Sequence, residues 1–276
     1  FKLNVKKTEA SEEYFYNTIL KNNEVKDKPL TKVLDEIATT DEGLIKDIDD
    51  LGTTYYFRGN VVNNYVSISN SLWRIMRING DGSVKLVLND TLEEVSNYNN
   101  DFEKFNEFDN TDIYKALDDY YKSTLSEFEE IIASSKYCIE EEIDKEKNEE
   151  DSSTYTLIIT NKIPTFNCIG SSYSSYVTTL SVDDVLYAGA NFEKDNDKYF
   201  LYNKDIDNIW WTLSLAKTKN KNFYPFSVNK NGKVEYSTSG DLYRGLRPVI
   251  NIVRKTVVTS GDGTIDNPYI ISNNSK

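Results

Sequence analysis

The chain contains no histidine among its 276 residues. Histidine usually carries protons near neutral pH, so its absence excludes Ser-His-Asp and Cys-His catalytic sites and histidine-ligated zinc. The only cysteines are Cys138 and Cys168, too few for a four-cysteine zinc site within one chain. No GxxxxGKS, GxxxxGKT or GxGxxG motif occurs, so the sequence indicates no phosphate-binding loop.

Carboxylate chemistry is the catalytic option that this composition leaves open, because two acids flanking a sugar can hydrolyse a glycosidic bond. The chain has 45 acidic residues, however, so pairs of acids arise by chance and predict nothing. We therefore expect no enzymatic activity, no cofactor and no metal.

The charge balance excludes another class of partner. Lys and Arg number 32 against 45 acids, which gives a net charge of −13. A nucleic-acid-binding protein needs a concentrated basic surface, and here the cations are scattered, so we expect no nucleic acid partner. An anionic membrane or cell wall would also repel the chain on average, and the alternative is that the charge only maintains solubility.

Neither a run of 18 apolar residues nor a signal peptide is present, and the chain starts at Phe1. We interpret it as a mature or trimmed fragment of an exported protein, anchored at the bacterial cell surface through a segment outside this chain. In an exported protein, Cys138 and Cys168 would most simply form a disulfide. The alternative is two buried free thiols.

The hydrophobic pattern predicts a folded α+β chain, because 20 Tyr, 12 Phe and 3 Trp are too many aromatics for a disordered one. Residues 1–50 are interpreted as a helical leader, with a helix over 12–23. Residues 51–276 are interpreted as a single α+β domain with two flanking helices. Thr111 or Asn110 caps the first of these helices, and the second lies between Ser181 and Gly189.

A hairpin is the clearest local prediction. Residues 72–78 (LWRIMRI) and 84–88 (VKLVL) are enriched in apolar residues typical of strands, and the turn sequence Asn79-Gly80-Asp81-Gly82 lies between them.

Several strings occur in order over about residues 50–276: YYFRGNVVNNYV, LWRIMRINGDGSVKLV, KALDDYYKSTL, the two cysteines, DDVLYAG, WWTLSL, GLRPVINI and SGDGTIDNPYII. Together they resemble an uncharacterised domain of surface proteins from low-GC Gram-positive bacteria, some of which carry pilin-type or other membrane-anchored N-termini. The resemblance implies an extracellular, surface-displayed domain.

The last third also resembles bacterial C-type-lectin-like domains, which are related to formylglycine-generating-enzyme folds. The residues concerned are Trp210 and Trp211, then the strings at 232–234 (GKV) and 245–247 (GLR). The resemblance implies twisted antiparallel sheets with long loops that carry the binding face. The two cysteines precede the region where formylglycine-generating enzymes carry their catalytic pair, so that activity is not carried over. No Glu-Pro-Asn or Gln-Pro-Asp signature occurs either, so calcium-dependent sugar binding is not carried over.

Five residues are candidate ligand contacts. Trp210 and Trp211 suit a stacking platform, with the alternative that adjacent strand residues point one to the core and one outward. Tyr173 and Tyr176 lie in a Ser- and Tyr-rich segment of paratope-like composition, with a plain surface loop as the alternative. Arg244 suits a ligand carboxylate, with pairing to an acid of this chain as the alternative.

The leading functional hypothesis is a non-catalytic extracellular binding or adhesion domain of a bacterial surface protein, whose partner is a host or cell-surface protein or glycan. The alternative is a structural, pilin-like subunit ectodomain whose partners are other subunits of a surface filament.

Overall fold

The computed structural model describes residues 13–27, 36–92, 97–99, 108–139, 164–168, 171–217, 223–236 and 242–273. In these ranges the chain is mixed α+β, mostly sheet with few helices. The three α-helices are α1 (Phe15–Asn22), α2 (Asp112–Tyr120) and α3 (Val182–Ala188). The predicted α+β class, the small N-terminal helix and the two later helices are confirmed.

Within the described residues the strands form three sheets. The largest contains β1 (Val25–Lys26), β2 (Asp41–Asp49), β3 (Gly52–Gly59), β4 (Tyr65–Ile68), β5 (Ser71–Ile78), β6 (Val84–Leu88), β7 (Ile132–Ala133), β13 (Val249–Ile252), β14 (Val257–Ser260) and β15 (Tyr269–Ser272). A two-stranded sheet joins β8 (Ser135–Ile139) to β9 (Ser171–Ser175), and a three-stranded sheet joins β10 (Trp210–Lys217), β11 (Phe223–Val228) and β12 (Val234–Tyr236).

Strand β5 is central to the large sheet. Along one edge, the first half of β5 pairs with β4 and its end pairs with β3. Along the other edge β5 pairs with β6, and β6 pairs with β13 on its far side. All of these pairings are antiparallel. Every residue of β6 is buried, as expected for a strand covered on both faces.

The predicted β5–β6 hairpin is confirmed. In its turn the backbone N–H of Asn79 donates to the carbonyl of Ser83 at 2.8 Å, and Gly82 has a φ of 84°. A residue with a Cβ rarely adopts that backbone conformation, which explains the glycine. The carboxylate of Asp81 accepts from the N–H of Ser83 and completes the turn.

The caps of α2 and α3 also follow the prediction. The Thr111 hydroxyl accepts from the N–H of Tyr114. Ser181 and Asp184 form a reciprocal capping box at the start of α3, and Gly189 ends that helix with a φ of 130°.

The interpretation of residues 1–50 as a helical leader separate from the main domain requires correction. Helix α1 ends at Asn22, and residues 41–49 form strand β2, which pairs with β3 across the proposed boundary. The sequence analysis missed strand β2 because most residues of DEGLIKDID are charged, although Leu44 and Ile45 within it are buried. Phe15 and Ile19 of α1 also belong to the main core, so helix α1 and strand β2 both pack with the rest of the described chain.

Candidate functional site

A cavity of about 760 Å³ lies on one face of the large sheet. Its walls come from β5, β6 and β13, from the β7–β8 segment, from the start of α3 and from residues 165–168. We call it the Arg77 cavity.

The register of the large sheet explains which side chains reach this cavity. Arg77 of β5 lies opposite Lys85 of β6, and Lys85 lies opposite Asn251 of β13. Residues directly opposite on neighbouring strands share one face of a sheet and lie close together. The three polar side chains therefore form a transverse row, and all three line the Arg77 cavity.

A buried ion pair holds the centre of this row. The ammonium of Lys85 donates to the Asp184 carboxylate at 2.5 Å, with the two side chains only 9% and 3% exposed. Burial by itself would raise the pKa of Asp184, but attraction to Lys85 and Arg77 and the hydrogen bond from Lys85 outweigh it and hold the pKa below its usual value. Asp184 is therefore a fixed anion that anchors α3 to the sheet.

Arg77 has a different environment. Its guanidinium lies over the ring of Phe166, 4.3 Å from the centroid. Its Nε and Nη1 atoms are buried, and neither has a hydrogen-bond partner. A cation–π contact orients the guanidinium but leaves these N–H donors unsatisfied, which is costly for buried polar groups.

Asn79 supplies a second unsatisfied group at the same cavity. Its Nδ2 donates to Ser83 Oγ and to Asn251 Oδ1, both at 2.9 Å. The Asn251 amide in turn donates to the Tyr137 hydroxyl at 3.1 Å, and burial raises the pKa of Tyr137. The Asn79 side chain is more than nine-tenths buried, yet its Oδ1 has no partner. Asn79 and Arg77 thus both line the cavity and both carry buried polar atoms without a partner.

The predicted disulfide is confirmed, and it forms part of the cavity wall. Cys138 of β8 is bonded to Cys168, with their Cα atoms 5.5 Å apart. The N–H of Cys168 donates to the Asp50 carboxylate at 2.7 Å, which ties this segment to the β2–β3 turn. The ring of Phe166, two residues before Cys168, stacks on the ring of Tyr187 with 3.7 Å between the ring centroids. The disulfide therefore helps to position the ring that orients Arg77.

The two candidate tryptophans lie elsewhere. Trp210 is 3% exposed and Trp211 is fully buried. Trp211 packs edge-on against Tyr98, 5.6 Å between ring centroids. Neither ring has a face open to a ligand, so the predicted platform is corrected: both rings belong to the core, because the strand is covered on both sides.

The other three candidates also lie outside the lining of the Arg77 cavity. Tyr173 is partly buried in an aromatic cluster, and its hydroxyl is hydrogen-bonded to Thr178. Tyr176 is 44% exposed and stacks on Tyr121. Arg244 donates to Ser227 Oγ at 2.6 Å, and burial lowers its pKa. A ligand role for these three stays a prediction.

The cavity residues Arg77, Lys85, Asn79 and Asn251 were missed from the sequence. The available signal was a cation inside each of two apolar strands, most clearly Lys85 within VKLVL. A charged side chain in a buried strand requires a partner or a polar cavity. The partner of Lys85, Asp184, lies 99 residues away, so no local pattern connects them.

The fold and site define a mixed α+β protein with a ligand-sized polar cavity beside a disulfide. Comparisons of the chain with protein-family models, with curated proteins and with solved structures found no match. Within the ranges described above, no group of three His, Cys, Asp or Glu side chains is arranged to hold a metal ion. In the same ranges, no helix combines the length and apolar character needed to cross a membrane.

Proposed function

We propose that this chain is a non-catalytic, extracellular binding domain of a bacterial surface protein, and that its ligand enters the Arg77 cavity. The observation that carries the proposal is the cavity itself. Its volume of about 760 Å³ falls in the range of roughly 300–1,000 Å³ typical of ligand sites. Polar side chains of Arg77, Asn79, Lys85 and Asn251 line this space, and Arg77 is partly exposed.

Two observations support the extracellular assignment. The bond between Cys138 and Cys168 is of the kind that persists in oxidising compartments. The ordered motifs that resemble surface proteins point to the same location, at the bacterial cell surface.

The arrangement of the last third supports a C-type-lectin-like core as the finer description of the fold. The N–H of Trp211 donates to the carbonyl of Gly245 at 3.0 Å, and the N–H of Gly245 donates to the carbonyl of Ile209 at 2.8 Å. The Trp-Trp strand and the Gly-Leu-Arg segment are thus neighbours, and the Gly-Lys-Val segment lies at the β11–β12 turn.

The use of the cavity carboxylates supports a non-catalytic role. Asp49 accepts from the N–H groups of Leu51 and Gly80, and Asp81 accepts from Ser83. Asp50 accepts from Cys168, and Asp184 is paired with Lys85. These acids stabilise turns, a helix cap and the disulfide segment, whereas a general acid or base must be directed at a substrate.

Blocking the cavity tests the proposal. Ser134 is exposed at the cavity and accepts a large side chain without a change in the core, so Ser134→Trp should abolish binding to glycan arrays, matrix proteins or host cells. Ser123→Trp, on an exposed helical turn that does not line the cavity, is the matched control and should bind like the wild type.

Two results would overturn this function. One is the absence of binding to any of these targets at micromolar concentrations, and the other is binding that Ser134→Trp leaves unchanged. Assembly of the purified chain into filaments without ligand binding would instead support the structural-subunit alternative.

A further inference from the structure

The large sheet places two cations directly opposite each other. Arg77 and Lys85 are cross-strand neighbours, and like charges in that position destabilise a sheet. One carboxylate, Asp184, attracts both cations, but of the two only Lys85 donates a hydrogen bond to it. Lys85 is thereby neutralised at close range, and Arg77 keeps two buried donors without an acceptor.

Three buried arginines show how the fold treats a guanidinium that has only a structural role. Arg58, Arg74 and Arg247 are each at most 4% exposed. Each donates to oxygen acceptors of the chain, and Arg247 donates to three backbone carbonyls. Arg77 differs from them because its side chain is partly exposed and lines a cavity, and no acceptor of the chain bonds its Nε and Nη1. The difference points to an acceptor that comes from outside the chain.

We propose that the Arg77 cavity binds an acidic sugar, whose carboxylate accepts hydrogen bonds from Arg77. This inference rests on the proposed binding function and names its ligand class. Guanidinium–carboxylate bonds are charge-assisted and stronger than neutral ones. The ring of Phe166 already orients the guanidinium, so binding does not require that side chain to become ordered.

The rest of the lining selects a sugar over a peptide. Ser and Thr hydroxyls recur around the cavity, at Ser83, Ser134, Ser135, Ser172, Ser181, Thr165 and Thr179. Ser134 and Ser172 are exposed there, whereas Ser83, Ser135 and Thr179 already donate to acceptors of the chain. Such groups both donate and accept, as a polyhydroxylated ligand requires, whereas a peptide with apolar side chains would need apolar subsites.

The test is an NMR titration of the disulfide-intact chain with glucuronic acid and N-acetylneuraminic acid, each compared with glucose and with glucuronamide. Glucuronamide replaces the carboxylate by a neutral amide and needs no protein variant. We expect the acids to shift amide signals at the cavity and to bind about tenfold or more tightly than their neutral counterparts.

Protein variants locate the carboxylate. Arg77→Gln should weaken acid binding by about tenfold or more, and Arg77→Lys should weaken it less because the charge remains. Arg254→Gln is the matched control, since Arg254 also lies over an aromatic ring, that of Tyr16, but does not line the cavity. Thermal melting checks that each variant is folded.

The outcomes separate this inference from the function on which it rests. Equal binding of glucuronic acid and glucuronamide, or of acids to wild type and folded Arg77→Gln, overturns the acidic-sugar assignment. If peptides or neutral glycans bind in the cavity instead, the binding function stands and the ligand class is wrong. If nothing binds, both proposals fail.

Discussion

Replacing Asp184 by asparagine should destabilise the protein strongly. The amide keeps an oxygen acceptor for the Ser181 cap but removes the charge that compensates Lys85, which is buried and lies opposite Arg77. Removal of one partner from a buried ion pair typically costs about 3–5 kcal/mol, because the remaining charge is left buried without compensation. Domains are commonly stable by only about 5–15 kcal/mol, so this loss is a large share of the total.

Urea unfolding followed by circular dichroism measures the effect. With a slope of about 3 kcal/mol per molar urea, the expected loss moves the midpoint down by about 1–1.7 M. Asp118→Asn is the matched control, since Asp118 and Lys122 are also 2.5 Å apart but Lys122 is 67% exposed. Exposed ion pairs contribute little, so the control should unfold like the wild type. Equal midpoints for the two variants would refute the reasoning.

A double variant and a pH series test whether charge is the cause. Lys85→Met combined with Asp184→Asn removes both charges, keeps the oxygen acceptor for the Ser181 cap, and should recover much of the stability that Asp184→Asn alone loses. The pKa of Asp184 is lower in the folded state than in the unfolded state. Its contribution to the free energy of unfolding is therefore fully present above pH about 4 and is lost as the pH falls through the folded-state pKa. The difference between wild type and Asp184→Asn should therefore shrink in acid.

Two further predictions concern the disulfide and the buried tyrosines. Replacing Cys138 and Cys168 by serine opens the loop that the disulfide closes over a sequence separation of 30. The chain-entropy relation then predicts a loss of about 3.7 kcal/mol in the free energy of unfolding. An unchanged urea midpoint would contradict this prediction. Burial raises the pKa of Tyr137 and Tyr199 above the unfolded value, so their contribution is present below pH about 10 and is lost above it. In an alkaline titration, their tyrosinate absorbance should appear only as the chain unfolds, and reversible ionisation near pH 10 in the folded state would argue against this.

Local signals predicted the elements that depend on local chemistry. The turn Asn79–Gly82 predicted the β5–β6 hairpin, and Thr111, Ser181 and Gly189 predicted helix ends. These predictions succeeded because a cap or a tight turn is decided by hydrogen bonds and backbone angles within a few residues. With only two cysteines, the disulfide pairing had a single possible solution once export was assumed.

The site depended on contacts that no local pattern contains. Strand β2 exists because β3 pairs with it, although its charged residues suggest a surface segment. Trp210 and Trp211 are buried because other elements cover both faces of their strand, which the alternation along a strand does not reveal.

By itself, the sequence determined the α+β class, the helix caps, the exclusion of histidine-dependent chemistry and the only pairing open to a disulfide within the chain. Tertiary structure alone decided that Arg77, Lys85 and Asn251 share one face of a sheet, and that Asp184, 99 residues from Lys85, neutralises that lysine while Arg77 keeps open donors. The physical reason is that strand register and helix docking bring together charges that are distant in the sequence, and only the tertiary structure fixes which of them are paired.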